Sequence, residues 1–312
     1  MGINMRIELS IILVNWNGLE ITRQCLKSIY EQTKNICFEI IVIDNASKDL
    51  SCKMIREEFP KVILVCNEEN KGFAAANNQG INKSKGNFIL LLNNDTIVLE
   101  NAIEKTLFAA ESNSKAAVMG CKVLNRDRTP QSSCFMFPSI LNLIIAAAHL
   151  DTIFPKNKFF GRERYARSEW NEIKEVDVVA GCFMLVRRDA IEDTGTLDER
   201  FFMYGEETDW CMRFKKHGWK ILFCPNGKII HLGGESSKKI KGTMMLQLKG
   251  SILLFIKKHY SRLSYAAACI VISLYFLIRT PYHLVRDTTI SRVCCKGTFL
   301  SLLGADYLCL KR

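Results

Sequence analysis

The sequence predicts an α/β protein with a mostly parallel sheet, flanking helices and a C-terminal appendage of hydrophobic, basic helices. Short apolar runs alternate with stretches of helical periodicity through the first hundred residues, and polar residues end three of those runs. The last third of the chain carries much of the basic excess and one long uncharged run. Alternating strands and helices favour a parallel sheet with helices on its faces.

The first strand is predicted in "LSIILVNW", because an apolar run without polar alternation is typical of a strand buried on both faces. A helix follows in "EITRQCLKSIYEQ", and a second strand in "FEIIVIDNAS". The alternation continues with a helix in "DLSCKMIREEF", a strand in "KVILVCN", a helix in "FAAANNQGINKS" and a strand in "NFILLLNNDT". We therefore predict a catalytic domain over 1–245 and a membrane-associating helical region over 246–312.

Composition narrows the function classes. The chain has 312 residues and a net charge of +11, and a basic surface suits nucleic acid, anionic lipid, an anionic substrate or solvent alone. No nucleic-acid-binding signature accompanies the charge, so nucleic acid is disfavoured. Thirteen irregularly spaced cysteines, without a C-x-x-C pair, indicate small buried hydrophobes in a reducing compartment. The catalytic part is expected to be cytoplasmic.

Polar residues follow the predicted strands at Asn15, Asp44 and Asp95. Because ligands bind at the carboxyl ends of parallel strands, these side chains indicate a site at one sheet edge. Asp44 suits a nucleobase edge or ribose hydroxyls, and Asp95 suits Mg²⁺ or Mn²⁺. Gly72 precedes a helix whose N-terminus favours phosphate. Helix caps and turn formers are the alternative explanation for each residue.

Seven stretches resemble the motifs of family 2 glycosyltransferases, most closely those of the rhamnosyltransferase-like branch of bacterial surface polysaccharide synthesis. The resemblance covers roughly residues 8–240. The stretches are "SIILVNWNG", "IIVIDNASKD", "NKGFAAANNQG", "FILLLNNDT", "VAGCFMLVRRDAI", "LDERFFMYGEETDWCMR" and "IIHLGGESS". The resemblance implies a GT-A fold, a nucleotide-sugar donor and inversion at the anomeric carbon. It also implies that Asn15 and Asp44 hold the nucleoside and that Gly72 and Asn78 lie along the nucleotide.

The same resemblance implies a metal site. Asp95 matches the metal-binding acid of the family's D-x-D motif, whereas Asn93 places an amide at its first position. His231 is expected to complete the metal shell with Asp95; a hydrogen-bonded strand end is the alternative. Three lysines after it could close over the diphosphate or face solvent: Lys238, Lys239 and Lys241.

The acidic stretch "FFMYGEETDWCMRF" supplies the candidate base. An inverting transfer needs a carboxylate that removes the acceptor hydroxyl's proton. Glu207 matches the family's catalytic Asp, with one methylene more, and Glu206 is the second candidate. Acids also favour the first turn of a helix, which is the structural alternative.

Residues 263–278 form an uncharged apolar run between Arg262 and Arg279. As a helix the run spans about 24 Å, which is short against a hydrocarbon core of about 30 Å. We expect a helix on or in the inner face of the cell membrane; packing on the catalytic domain is the alternative. The apolar and basic segment 134–172 fits acceptor lipid, membrane or ordinary packing.

The sequence therefore predicts an inverting, metal-dependent hexosyltransferase that uses a dTDP- or UDP-linked donor such as an activated rhamnose. Its expected acceptor is a lipid-linked glycan or growing polysaccharide, and its expected location is cytoplasmic, peripheral to the membrane. Two alternatives are a nucleotidyltransferase and a membrane-associated nucleotide-sugar-binding protein without transferase activity. The Gly-rich basic loop that a nucleotidyltransferase needs after the first strand is missing from "VNWNGLEITRQ".

Overall fold

A computed structural model describes residues 7–167, 170–233 and 241–309. The chain forms two compact units. The first, here called the sheet unit, comprises Met1–Phe135, Glu169–Glu199 and Trp210–Ser236. The second, the helical unit, comprises Met136–Ser168, Arg200–Asp209 and Ser237–Arg312. Two earlier segments thus join the C-terminal helices in one unit, and the 1–245/246–312 division stays a prediction.

The described strands all belong to the sheet unit. They are β1 (Leu9–Asn15), β2 (Phe38–Asp44), β3 (Ile63–Cys66), β4 (Phe88–Leu92), β5 (Thr96–Leu99), β6 (Ala116–Leu124), β7 (Pro130–Gln131), β8 (Cys134–Phe135), β9 (Lys174–Glu175), β10 (Val178–Val179), β11 (Phe183–Arg187) and β12 (Lys220–His231).

Helices occur in both units, and the division between the units falls within α8, after Asp209. The helices are α1 (Leu19–Gln32), α2 (Ser51–Glu58), α3 (Phe73–Lys83), α4 (Ala102–Glu111), α5 (Ile140–Ala147), α6 (Leu150–Ile153), α7 (Arg188–Thr194), α8 (Glu206–Lys216), α9 (Lys241–His259), α10 (Arg262–Arg286), α11 (Thr288–Leu303) and α12 (Ala305–Leu308). A 3₁₀ helix spans Arg162–Arg167.

The main sheet has the strand order β3-β2-β1-β4-β11-β6-β12-β5. Strand β1 runs parallel to β2 and β4, β2 runs parallel to β3, and β6 runs parallel to β12. Strand β11 is antiparallel to β4 and β6, and β5 is antiparallel to β12. The predicted α/β class with a mostly parallel sheet and C-terminal helices is confirmed.

The core of the sheet unit forms between the sheet and its helices. Strand β1 is buried at every position but Val14, as expected for an apolar central strand. Its residues Leu9, Ile11 and Leu13 belong to one cluster with Leu26 and Ile29 of α1. Full burial of one such side chain contributes about 1.5–3 kcal/mol, so this cluster fixes the position of the strand ends.

Strand register brings the predicted site residues together. In the β1–β2 pair Asn15 lies opposite Asp44, at the last position of each strand. In the β5–β12 pair His231 lies opposite Thr96, next to Asp95. Two separate pairs of strands therefore end on polar residues of the predicted site.

The helical unit packs α10 against α11 through small residues. A Cβ atom at Gly297 would lie 2.8 Å from the Phe276 ring, so the helices approach too closely there for a larger residue. Ser273 Oγ donates to the Thr298 carbonyl at 2.8 Å, and Ser291 Oγ donates to the Thr280 carbonyl at 3.1 Å. The buried face of this helix pair thus combines small and polar residues with apolar ones such as Phe276.

Candidate active site

Asn15 and Asp44 form a buried pair at the sheet edge. Asn15 Nδ2 donates to Asp44 Oδ2 at 2.7 Å, and the backbone N–H of Ser47 donates to Asp44 Oδ1 at 2.9 Å. Both side chains are almost fully buried. Each carboxylate oxygen therefore keeps one donor from the protein, which holds the Asp44 carboxylate in a fixed orientation.

The other end of the Asn15 amide ties this pair to the end of β4. Asn15 Oδ1 accepts hydrogen bonds from Thr22 Oγ1 at 2.8 Å and from Asn94 Nδ2 at 3.0 Å. Asn94 Nδ2 also donates to Thr22 Oγ1 at 2.9 Å. The three predicted polar strand ends therefore meet at one edge of the sheet, and a helix residue joins them.

Gly72 lies beside the same edge, where it precedes α3. Its φ of +84° is a conformation that favours glycine, and no side chain caps the start of the helix. Asn45 holds the approach to α3: its Nδ2 donates to Asn70 Oδ1 at 2.8 Å, and its Oδ1 accepts from Lys71 N at 3.1 Å. The uncapped start of α3 therefore presents backbone N–H groups and the positive end of the helix dipole.

Asn78 anchors a loop with its side-chain amide. Asn78 Nδ2 donates to the Leu197 carbonyl at 2.9 Å and to Glu199 Oε1 at 3.1 Å, and Asn78 Oδ1 accepts from Leu197 N at 3.0 Å. The side chain is 6% exposed. Because both amide hydrogens are used inside the protein, Asn78 is a structural anchor of the 197–199 segment, and a direct nucleotide contact stays a prediction.

Asp95 and His231 lie side by side. His231 Nε2 is 3.2 Å from Asp95 Oδ1, and the two side chains are 16% and 9% exposed. The backbone N–H of Leu232 donates to the Asp95 carbonyl at 2.9 Å, which fixes the two strand ends together. An imidazole nitrogen and a carboxylate oxygen that converge in this way form a donor pair suited to Mn²⁺ or Mg²⁺.

Asn93 adds a third polar group next to this pair. Its Nδ2 lies 3.4 Å from His231 Nε2, while its buried Oδ1 has no hydrogen-bond partner in the described residues. An unpartnered buried oxygen is costly unless a ligand, water or ion satisfies it. Within the described ranges no group of three or more His, Cys, Asp or Glu residues could hold a metal. The site therefore fits a divalent cation that takes its remaining ligands from substrate phosphates and water.

The helical unit contains the predicted catalytic acids at the start of α8. Tyr204 and Gly205 both have positive φ, at +64° and +85°, which turns the chain sharply before the helix. Gln247 Nε2 and Ser251 Oγ of α9 both donate to the Met203 carbonyl, at 3.0 and 3.1 Å. Glu207 Oε2 accepts from the Gly205 N–H at 3.0 Å. Helix α9 thus supports the turn that presents Glu207.

The two glutamates differ in burial and charge state. Glu206 is 5% exposed, and its Oε2 has no partner among the described residues. Burial and the neighbouring Glu207 raise the pKa of Glu206 well above its ordinary value. Glu207 is half-buried, and burial also raises its pKa, although backbone N–H groups oppose the shift. A carboxylate with a raised pKa is a stronger base at neutral pH.

Asp209 completes the acidic cluster as a structural residue. Its side chain is fully buried, and its Oδ1 lies 2.7 Å from both Lys258 Nζ and His259 Nε2 of α9. These partners supply the positive charge that a buried carboxylate requires. Lys238 and Lys239 lie outside the described residues, as does the side chain of Lys241.

Three residues of the site were not predicted from sequence patterns: Thr22, Gln131 and Asn125. Thr22 lies on the buried face of α1, and in the sequence it resembles an ordinary packed helix residue. Gln131 Oε1 lies 2.8 Å from His231 Nδ1. No local pattern marks it, because it belongs to the two-residue strand β7, which forms only by pairing with β6.

The chain is similar to named glycosyltransferases. It is 25% identical over 233 residues to an N-acetylglucosaminyl-diphospho-decaprenol L-rhamnosyltransferase of Mycobacterium tuberculosis, covering 71% of this chain and 75% of that protein. It is 26% identical over 216 residues to the dTDP-rhamnosyl transferase RfbF of Shigella flexneri, covering 69% and 66% of the two chains. These relatives match the predicted rhamnosyltransferase-like branch.

A solved structure shows the same fold. The mannosyltransferase PcManGT of Pyrobaculum calidifontis, in complex with GDP-Man and Mn²⁺, superposes with a TM-score of 0.58 at 13% identity, covering 98% of this chain and 86% of that one. The GT-A fold is therefore confirmed. The model of the family "Glycosyl transferase family 2" matches residues 10–195, which is more than half of the chain. The protein belongs to glycosyl transferase family 2.

Proposed function

We propose that this glycosyltransferase transfers a deoxyhexose such as rhamnose, with inversion, from a dTDP- or UDP-linked donor to a lipid-linked or growing glycan. The names of the mycobacterial and Shigella relatives support the sugar, and the first of them also supports a diphospholipid-linked acceptor. The observation that carries the proposal is the 3.2 Å approach of His231 Nε2 to Asp95 Oδ1 beside the unpartnered Asn93 Oδ1.

On the donor side, the buried Asn15 amide orients the Asp44 carboxylate toward the nucleoside. The N-terminus of α3 at Gly72 receives phosphate oxygens through its N–H groups. Asp95 and His231 hold the divalent cation, with Asn93 beside them. A divalent cation held by these residues would supply positive charge for the departing diphosphate. Asn78 of α3 holds the 197–199 segment through its side-chain hydrogen bonds.

On the acceptor side, Glu207 takes the proton from the attacking hydroxyl. Its half-buried carboxylate has a raised pKa and is therefore a stronger base than an exposed glutamate. We assign the role to Glu207 and not to Glu206, because the Glu206 carboxyl is more deeply buried. Burial and the neighbouring Glu207 raise the pKa of Glu206 well above its ordinary value.

A donor panel tests the assignment. Purified protein is incubated with dTDP-rhamnose, UDP-glucose, UDP-N-acetylglucosamine and GDP-mannose, with Mn²⁺ or with EDTA, and release of the nucleoside diphosphate is measured. We expect Mn²⁺-dependent release from a dTDP- or UDP-linked donor. Binding of a donor without any release or transfer would favour a nucleotide-sugar-binding protein, and release undiminished by EDTA would contradict the metal role.

We further propose that the helical unit places the enzyme on an anionic membrane surface. The 262–281 part of α10 is long and apolar enough to cross a membrane by length and composition, with a mean hydropathy of 1.7. Its solvent face is an apolar stripe at helical spacing, which includes Leu263, Ile270, Leu274, Leu277 and Leu284. All five are between 46% and 83% exposed, which is unusual for a helix in contact with water.

The buried face of α10 carries polar side chains among apolar ones such as Ile272 and Phe276. Arg279 is buried on the side of α10 that packs against α5. Its guanidinium lies 3.5 Å from the Tyr275 ring centroid, and its Nη2 donates to the Ala146 carbonyl at 3.0 Å. Ser273 bonds to α11 on the same side. A helix with leucines outside and arginine inside fits a lipid surface better than water. Exposed Arg262, Arg292 and Lys296 add affinity for anionic headgroups.

Sedimentation with vesicles of phosphatidylethanolamine and phosphatidylglycerol tests this surface. Replacing Ile270, Leu274 and Leu277 together by Ser should lower the partition coefficient at least about tenfold, since three exposed apolar side chains no longer enter the lipid. Phe108→Ser is the matched control, because Phe108 is 73% exposed on α4 of the sheet unit. Equal partition of wild type and triple variant would contradict the proposed surface.

A further inference from the structure

A chain of hydrogen bonds runs from the β6–β7 turn to His231. Thr129 Oγ1 lies 2.6 Å from Asp127 Oδ1, and Asn125 Nδ2 lies 3.0 Å from Thr129 Oγ1. Gln131 Nε2 lies 3.0 Å from Asn125 Oδ1, and His231 Nδ1 lies 2.8 Å from Gln131 Oε1. All five residues belong to the sheet unit. We call the first four the turn relay.

The direction of these bonds is set at Asp127. Its carboxylate accepts from both the hydroxyl and the backbone N–H of Thr129, and these bonds lower the pKa of Asp127. An ionised carboxylate can only accept, so the single Thr129 hydroxyl hydrogen points at it. The Thr129 oxygen must then accept from Asn125 Nδ2. The Pro130 carbonyl, which lacks a hydrogen, lies 3.5 Å from the same Nδ2 and favours the same orientation.

The orientation of Asn125 passes to His231. Since Asn125 Nδ2 faces Thr129, its Oδ1 faces Gln131 and accepts from Gln131 Nε2. Gln131 Oε1 is then the atom that faces His231, so His231 Nδ1 must donate to it. A neutral imidazole has one ring hydrogen. With that hydrogen on Nδ1, Nε2 carries a lone pair, which lies 3.2 Å from Asp95 Oδ1 and 3.4 Å from the Asn93 Nδ2 donor.

The opposite tautomer would close the site. With the hydrogen on Nε2, neutral His231 would donate a hydrogen bond to Asp95 Oδ1. The nitrogen and the oxygen that could bind a metal would then be engaged with each other. In the arrangement that the relay favours, Nε2 and Asp95 Oδ1 lie 3.2 Å apart with no hydrogen between them, and a positive charge placed there would stabilise both. The turn relay thus opposes the tautomer in which Nε2 donates to Asp95.

We propose that Asp127, Thr129, Asn125 and Gln131 are positioning residues that hold neutral His231 in its Nδ1–H tautomer and so keep Nε2 available to a divalent cation. The proposal rests on the metal role assigned above to Asp95 and His231. It gives a function to the exposed β6–β7 turn. Partners that orient a metal-binding histidine typically change metal affinity about 10–100-fold when removed.

Two variants of Asn125 form a matched pair. Asn125→Leu removes the acceptor, so the Gln131 amide is free to turn and offer its NH₂ group to His231 Nδ1. Asn125→Asp keeps an acceptor for Gln131 Nε2 and should keep the amide orientation. Gln131→Leu removes the acceptor for Nδ1 directly. Gln24→Leu on α1, where Gln24 bonds only to Glu20 among the described residues, is a control for loss of a surface amide.

Long-range ¹H–¹⁵N spectra of metal-free, ¹⁵N-histidine-labelled protein at pH 8 report the tautomer directly. The chain has five histidines, and His231→Gln identifies the signal. We expect Nδ1–H in wild type, Asn125→Asp and Gln24→Leu, with a shift toward Nε2–H in Asn125→Leu and Gln131→Leu. Titration of Mn²⁺ alone, followed by the EPR signal of the free ion, should show about 10–100-fold weaker binding only in the last two.

The spectra separate this proposal from the metal role. Nε2–H in metal-free wild type, or an Asn125→Leu spectrum identical to wild type in a folded protein, would overturn the relay. If wild type bound no Mn²⁺ while the tautomer still changed in Asn125→Leu, the relay would stand and the metal role would fail. The wild-type spectrum alone decides the proposal if a variant does not fold.

Discussion

Asn15 donates a 2.7 Å hydrogen bond to Asp44 at the paired ends of β1 and β2, inside a protein core where neither side chain reaches solvent. This bond makes the carboxylate that we propose to bind the nucleoside part of the fold. Asn15 Oδ1 also accepts hydrogen bonds from Thr22 and Asn94, so the Asn15 side chain connects a helix and three strand ends.

Asn15→Leu should therefore destabilise the protein. The change removes the Asn15 partner of the buried Asp44 carboxylate and of the buried Thr22 hydroxyl, and each such loss costs about 1–3 kcal/mol. We expect the free energy of unfolding in urea to fall by about 3 kcal/mol or more. Gln24→Leu, at an exposed position of α1 where Gln24 Nε2 donates to Glu20 Oε1 at 3.3 Å, should cost less than about 1 kcal/mol. Equal losses would show that the Asn15 network does not support the fold.

Glu206→Gln should change how stability depends on pH. Because the folded-state pKa of Glu206 is raised, the unfolded chain ionises first as the pH rises above about 4.5, and wild-type stability falls until the folded-state pKa is passed. Each pH unit in that window costs up to about 1.4 kcal/mol. The variant lacks this loss, so its free energy of unfolding relative to wild type should increase from pH 4 to pH 8.

Urea unfolding at pH 4, 6 and 8 measures the effect, with Glu57→Gln as the control on the exposed surface of α2. The control should follow the wild-type pH dependence. A Glu206→Gln protein that did the same would indicate that Glu206 ionises normally in the fold, and the choice of Glu207 over Glu206 as the catalytic base would lose support.

The transfer rate should report the raised pKa of Glu207. The base must be ionised to accept a proton, so kcat/KM should fall tenfold per pH unit below the pKa of Glu207 in the free enzyme. That pKa lies above 4.5, because burial disfavours the ionised carboxylate. A pH–rate profile of wild type at saturating Mn²⁺ measures it. A flat profile down to pH 4.5 would rule out a base with a raised pKa.

Gly297→Ala should disrupt the α10–α11 pair. The added methyl would lie 2.8 Å from the buried Phe276 ring, and overpacking of this kind costs about 1–3 kcal/mol. We expect a lower melting temperature and faster proteolysis of the C-terminal helices. Cys295→Ala, at an exposed position on the same helix, is the control and should melt like wild type. An unchanged melting temperature for Gly297→Ala would mean that the helices can separate without cost.

The local sequence pattern was sufficient to predict the strands and helices in the first half of the sheet unit. The predicted helices in "EITRQCLKSIYEQ" and "FAAANNQGINKS" correspond to α1 and α3 within a residue or two, because apolar spacing decides such helices. Asn15 and Asp44 could be placed together because parallel strands end at one edge. Strand β11 could not be placed, since its antiparallel position between β4 and β6 depends on contacts distant in sequence.

The less predictable features depend on tertiary structure. The turn relay is invisible in the sequence because Asn125 and Gln131 acquire their role only when β7 folds back on β6 beside His231. The grouping of 136–168 and 200–209 with the C-terminal helices likewise joins segments that are far apart along the chain. Asp209 could be expected to need a cation, but its partners Lys258 and His259 lie fifty residues later.

Single-turnover sugar transfer with saturating donor and Mn²⁺, compared for wild type, Glu207→Gln and Asp95→Ala, tests the central assignment most directly. We predict that Glu207→Gln binds the nucleotide like wild type but transfers about 10²–10⁴-fold more slowly, the usual contribution of a general base. Asp95→Ala should lose both Mn²⁺ binding and transfer. Wild-type transfer rates in both variants would contradict a mechanism built on these two carboxylates.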